Sequence, residues 1–351
     1  MFTRHDRPID NTLRAMLSIK RRIIKFLIIL LGSVFTLSLL LVLIGPLLIS
    51  TQSISGTSSA QEVARADSQF VAIPSAGNPD LLIHYLQSPP QTEGAGDSEP
   101  PWVLLHGFTF NSFTWNPLIE ALSADRAVLA YDQLPYGLSA KPLQWQGDNP
   151  YSKEAALAHL WAFLDAKGIE QAVLVGNSSG ATLAMEAALM APERVSALVL
   201  INPWVYVQRP TLPEWLTRLP QMQRISLWLA RQLGTTHWLL ELSYHDPQLI
   251  DDERRSLSTL HTEIQDWDLA WGALLARSLS SPVTVSAQLA QITQPTQVII
   301  GAEDRVVSPD DSLRVAAELP NAQAVVLPGC GHVPQEECPQ AVLEAILTNP
   351  F

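Results

Sequence analysis

Residues Ala172–Met190 read AVLVGNSSGATLAMEAALM. Four small or branched apolar residues run into Gly176-Asn177-Ser178-Ser179-Gly180, and an alanine-rich helical pattern follows. A short apolar run bounded by glycine predicts a strand covered on both faces, and the alanine-rich stretch predicts a helix. Strand, G-x-S-x-G, helix is the context of a nucleophile elbow, in which a tight turn exposes a serine at a sheet edge. Glycines two positions either side avoid clashes there. The helix N-terminus adds partial positive charge next to Ser178.

Outward from this stretch the rhythm repeats. Trp102–Leu105, Ala127–Asp132, Val195–Ile201, Thr296–Gly301 and Ala324–Leu327 are further strand candidates, and helical patterns cover Ser152–Lys167 and Gln335–Leu347. Phe70–Ile73 and Leu81–Leu86 supply an opening hairpin. Alternating strand and helix predicts an α/β fold with a mostly parallel, doubly wound sheet. One region breaks the alternation: residues 204–282 show helical patterns only, punctuated by prolines, and hold six of the ten tryptophans. A helical insertion between two strands predicts a cap over the carboxyl edge of the sheet, where ligands bind. The core is then 68–203 plus 283–351. Most of the cap tryptophans are expected to pack the cap onto the core, with a few lining an apolar pocket or meeting a membrane interface.

A serine is a weak nucleophile without a base, and the base needs an acid to orient it. For this elbow the chain order is serine, acid, histidine. Asp304 stands in Gly301-Ala302-Glu303-Asp304-Arg305, just after the strand at 296–300, and His332 ends Pro328-Gly329-Cys330-Gly331-His332, after the strand at 324–327. Either alone reads as a surface loop residue; together, in order and at strand ends, they complete a candidate triad with Ser178. His106-Gly107-Phe108 follows the strand at 102–105, so its backbone can turn over the elbow. The N–H groups of Phe108 and Ser179 are the candidate oxyanion donors, and His106 reads as structural.

These motifs, H-G-F, Tyr131-Asp132, G-N-S-S-G, G-A-E-D-R-V-V and G-C-G-H-V-P-Q-E-E-C-P, resemble the α/β-hydrolase superfamily over roughly residues 68–350. Within it they are similar to capped esterases, C–C hydrolases and cofactor-free perhydrolases. The resemblance implies hydrolysis through an acyl-enzyme, with no metal and no organic cofactor. Pro135 departs from the glycine frequent in D-x-x-G-x-G-x-S, and Ala181 from a second elbow glycine. Some relatives place the acid after the strand that follows the elbow. Asn202 stands there and cannot serve as a carboxylate, which favours Asp304.

The N-terminus carries a different signal. Phe26–Ile49, FLIILLGSVFTLSLLLVLIGPLLI, is 24 residues without a charge, enough to span a bilayer core of about 20 residues. A signal peptide has a shorter apolar region and a buried core helix a polar stripe, so a signal anchor fits best; cleavage near Ala60 is the rival. Residues 1–25 hold seven basic residues against Asp6 and Asp10, +5 in a chain of net −12, which leaves −17 on the remainder. Positive flanks stay cytoplasmic, so the catalytic domain is expected on the extracytoplasmic or lumenal side. The acidic domain argues against nucleic-acid partners. Residues 50–67, rich in Ser, Thr, Gln and Ala, read as a polar linker, and 88–101 as a surface loop. Cys330 and Cys338 fit no metal pattern and stand as either a disulfide or two thiols.

The expected function is a membrane-anchored ester hydrolase acting on an apolar or lipid-like group. Amide, thioester, C–C or perhydrolytic chemistry would use the same residues. A non-catalytic binding protein on the same fold is the alternative of another class, disfavoured because no triad member is missing.

Overall fold

The computed structural model describes residues 11–54, 56–75, 78–92, 99–207 and 211–348. The first ten residues of the basic segment and much of the loop at 88–101 lie outside them. The chain divides into two units, Met1–Ser50 and Thr51–Phe351.

The first unit is one helix, α1 (Asn11–Ile44), closed by a 3-10 turn at Gly45–Leu48. The turn falls where Gly45-Pro46 interrupts the apolar run, because Pro46 lacks the N–H that would continue the ladder. The span expected at 26–49 is therefore α-helical only to Ile44. Its Leu, Ile, Val and Phe side chains are exposed all round, and it is long and apolar enough to cross a membrane.

The second unit is built on eight strands: β1 (Ser68–Ser75), β2 (Asn78–Ser88), β3 (Trp102–Leu105), β4 (Val128–Tyr131), β5 (Ala172–Asn177), β6 (Val195–Ile201), β7 (Thr296–Gly301) and β8 (Ala322–Leu327). They lie in the order β1-β2-β4-β3-β5-β6-β7-β8. The β1–β2 hairpin is antiparallel and joins β4 antiparallel; from β4 to β8 every pairing is parallel. The strands alternate between two cores. Val103, Leu105, Leu174, Leu198 and Leu200 face one side, packed by Leu160, Phe163 and Leu164 of α3 (Lys153–Ala166) and Ala184 and Ala187 of α4 (Ser179–Met190). Leu104, Val173, Val175, Val199 and Ile201 face the other, against Leu118 and Leu122 of α2 (Asn116–Leu122). Burial on both faces is why these strands read as continuous apolar runs.

Between β6 and β7 stand α5 (Glu214–Thr217), α6 (Pro220–Thr235), α7 (Trp238–Ser243), α8 (Asp252–Thr259) and α9 (Trp267–Ser278), with no strand among the described residues. Then come α10 (Pro309–Glu318), α11 (Pro334–Glu337) and α12 (Pro339–Thr348). The final helix expected near 335–347 is thus two pieces, divided where Pro339 follows Cys338. The expectation that most cap tryptophans pack inward does not hold: Trp267 and Trp271 are buried, whereas Trp215, Trp228 and Trp238 are exposed.

Residues 51–67 are not a free tether. Gly56 N–H donates to the Thr262 carbonyl, Ser58 bridges Ile264, and Ala60, Val63 and Ala64 pack on the α2-side core. Composition is blind to these bonds because their partners lie some two hundred residues away.

Candidate active site

Ser178 sits at the junction of β5 and α4 with φ 56° and ψ −118°, a sparsely populated conformation that surrounding structure must impose. Its N–H donates to the Ile201 carbonyl at 2.9 Å, and its carbonyl accepts from Ala181, Thr182 and Trp204 N–H groups. The two motif glycines are needed for different reasons. A Cβ on Gly180 would lie 2.1 Å from the Leu105 carbonyl oxygen, and one on Gly176 would lie 2.5 Å from the backbone of Ala181. With Gly176 bare, the methyl of Ala181 fits, buried.

Asp304 and His332 meet as expected. Asp304 Oδ2 lies 2.7 Å from His332 Nδ1, and Oδ1 accepts from Val306 and Val307 N–H at 2.7 and 2.9 Å. An acceptor-only carboxylate on Nδ1 assigns the ring proton to that nitrogen and leaves the Nε2 lone pair free to act as base. Ser178, Asp304 and His332 are all buried. The Ser178 and His332 loops are joined through Asn177, whose Nδ2 donates to the His332 carbonyl at 3.0 Å.

Asn202 is the residue sequence reasoning passed over. It ends β6 with φ 45° and is fully buried. Its Nδ2 donates to the Gly331 and His332 carbonyls, each at 3.0 Å, and its Oδ1 accepts from Gly301 N–H at 2.9 Å. One carboxamide thus ties the end of β6 to the end of β7 and to the histidine loop. In sequence it reads only as an amide where some relatives carry the acid; an asparagine tolerates the left-handed backbone, and its bonding partners are invisible locally.

The cap grips the same loop. His332 N–H donates to the Ser243 carbonyl at 2.7 Å, and Glu337 accepts from Gly331, His245 and Asp246 N–H groups. Glu336, itself buried, pairs with Arg254 of α8 at 2.6 Å and accepts from Tyr244 Oη. Cys330 and Cys338 form a disulfide that closes a loop around His332.

The loop at 106–111 turns back over the elbow. A Cβ on Gly107 would meet Ser178 Cβ at 3.2 Å, so it is Gly107, one residue before Phe108, that lies against Ser178. The Phe108 ring packs edge-on to Tyr136, which packs edge-on to Trp271 of α9, an aromatic wall shared by core and cap. The placement of Ser179 at the first position of α4 leaves its N–H without a helical acceptor. His106 is structural, as expected: Nε2 accepts from Gln133 N–H and Nδ1 faces the Gly107 carbonyl, while burial lowers its pKa against the pull of Asp132. Burial alone would raise Asp132. His84 at 2.7 Å, His106 and the Ser112 N–H outweigh it, and the carboxyl stays well below the usual range. Among the described residues no group of His, Cys, Asp or Glu is arranged to hold a metal ion.

Sheet order, elbow and helical insertion define the α/β-hydrolase architecture. A family model described as the alpha/beta hydrolase fold matches residues 100–339, and the chain belongs to that family. The 2-hydroxymuconate semialdehyde hydrolase of Pseudomonas putida is 32% identical over 266 residues, 74% of this chain and 83% of the relative. The crystal structure of a probable hydrolytic enzyme from Pseudomonas aeruginosa PAO1 superposes with a TM-score of 0.64 at 24% identity, covering 84% of this chain and 99% of the other. A thermophilic esterase from Thermogutta terrifontis gives 0.62 at 22% identity, covering 80% and 97%. These structures share the fold.

Proposed function

We propose that the protein is a serine hydrolase that cleaves a carboxylic ester bearing an apolar acyl or lipid-like group, through an acyl-enzyme on Ser178. The observation that carries this reading is the Asp304–His332 contact, held by Asn177 and Asn202 beside a serine in an elbow conformation. His332 Nε2 takes the Ser178 proton as Oγ attacks the carbonyl carbon. The Phe108 and Ser179 N–H groups receive the oxyanion, and Asp304 stabilises the imidazolium. Collapse expels the alcohol with the proton from His332. Water, deprotonated by His332, then releases the acid. The aromatic wall of Phe108, Tyr136 and Trp271 supports an apolar group next to the scissile bond.

A second reading is C–C bond hydrolysis, supported by the name of the Pseudomonas putida relative. It uses the same attack but requires a carbon leaving group stabilised as an enolate. A fluorophosphonate probe tests the nucleophile: the wild type is expected to label and Ser178→Ala not to. Equal labelling of both would overturn the assignment. Turnover of acyl esters of graded chain length against 2-hydroxymuconate semialdehyde then separates ester from C–C cleavage.

We further propose that α1 anchors the chain with its N-terminus cytoplasmic and the catalytic unit outside. The +5 basic flank supports this orientation. The Cys330–Cys338 disulfide suits an oxidising compartment.

A further inference from the structure

β8 closes one end of the sheet, and among the described residues no strand pairs with its outer edge. Which groups lie on that edge follows from the inner one. Thr296 N–H donates to the Asn321 carbonyl at 2.9 Å, and Ala302 N–H to the Leu327 carbonyl at 3.0 Å. Backbone groups of successive residues alternate sides along a strand, so the odd-numbered residues of 321–327 bond to β7. Ala322, Ala324 and Val326 therefore turn their N–H and C=O groups outward.

An open edge is a template for another strand, and folded proteins usually blunt it with a charge, a proline or a bulge. The opposite end of the sheet follows that rule: β1 carries Pro74, and its register to β2 shifts between Ile73 and Ser75. β8 has none of these devices. It reads Ala-Gln-Ala-Val-Val-Leu, its register to β7 is unbroken, and residues 319–331 hold no charged side chain. Gln323, Ala324 and Val326 are exposed. The helices on its two faces, α10 and α12, add exposed Leu313 and Leu347.

Charge and symmetry select the occupant. Two copies of a chain of net −12 repel each other, so contact between them is favoured where neither brings charge. The edge is also its own complement. With two copies antiparallel about a two-fold axis at Ala324, Ala322 of one faces Val326 of the other and Ala324 faces Ala324. All three outward residues then find backbone partners. We propose that the protein forms a two-fold dimer by pairing β8 with β8 of a second copy, which runs one sheet through both.

The test uses the full-length chain in detergent micelles, where light scattering is expected to give a protein mass of two chains. Both native cysteines are paired, so single introduced cysteines read the register. Ala324→Cys places the two residues about 5.5 Å apart between Cα atoms, a span that a disulfide bridges, and mild copper oxidation should cross-link it. Ala322→Cys holds the same residue of each copy about 13 Å apart and should cross-link roughly tenfold more slowly. Ala324→Lys sets two ammonium groups face to face and should yield monomers whose labelling by a fluorophosphonate is unchanged. A monomeric wild type overturns the proposal. So does a dimer that survives Ala324→Lys, or one in which 322 cross-links as fast as 324, because the contact then lies elsewhere, in α1 for instance. Should Ala324→Lys fail to fold, the two cysteine rates decide alone.

Discussion

Asn202→Ala tests whether one carboxamide holds the candidate triad together. The substitution removes three hydrogen bonds. The His332 carbonyl keeps its bond from Asn177, so two backbone groups, Gly331 C=O and Gly301 N–H, lose this partner in a buried site. Each costs about 1–3 kcal/mol, and alanine in the left-handed region adds about 1–2 kcal/mol. The expected loss is roughly 3–8 kcal/mol, a large share of the 5–15 kcal/mol typical of a folded protein. Asn202→Gly separates the causes, because glycine accepts φ 45° but makes none of the bonds. Urea unfolding followed by tryptophan fluorescence reads stability. Ester hydrolysis by whatever folded fraction remains reads geometry, with kcat expected to fall at least tenfold and KM to move little. A loss under about 1 kcal/mol for both variants, with kcat preserved, would refute the idea that Asn202 joins the acid strand to the histidine loop.

Three further outcomes are expected. Replacing Cys330 and Cys338 together by serine opens a loop of eight-residue separation and should cost roughly 2–3 kcal/mol. Because His332 lies inside that loop, kcat should fall in the folded variant; an unchanged kcat would show that the cap contacts alone hold the histidine. Burial lowers the pKa of His159 to about 4 and of His261 to about 3, the latter helped by Lys141. Both sit below an unfolded value of about 6.5, so the unfolded chain binds more protons below that pH. Their stabilising contribution is then complete above about 6.5 and declines as the pH falls, by about 2 kcal/mol per histidine at pH 5. Urea midpoints of wild type and His159→Gln at pH 7 and 5 check this; equal pH sensitivity of the two would remove His159 as a contributor.

The parts legible in sequence share one property: their signal is local. The elbow could be read because strand, glycine-flanked serine and helix are consecutive, and Asp304 and His332 because each closes its own strand in the expected chain order. The apolar run at 26–49 declares itself by composition, needing only Pro46 to show where its helix stops. Asn202 could not be read, since its work is done on Gly301, Gly331 and His332, more than ninety residues on. Nor could the cap tryptophans be sorted, because burial of Trp267 and exposure of Trp228 depend on which helix faces which. Residues 51–67 show the limit most plainly: their polar composition describes a tether, yet backbone bonds to Thr262 and Ile264 hold them on the domain. By itself the sequence determined the chemistry on offer, a serine, a base and an acid at strand ends, because residue type and order carry it. Only the tertiary structure decided how that chemistry is held and covered, because buried hydrogen bonds join groups that the chain keeps far apart.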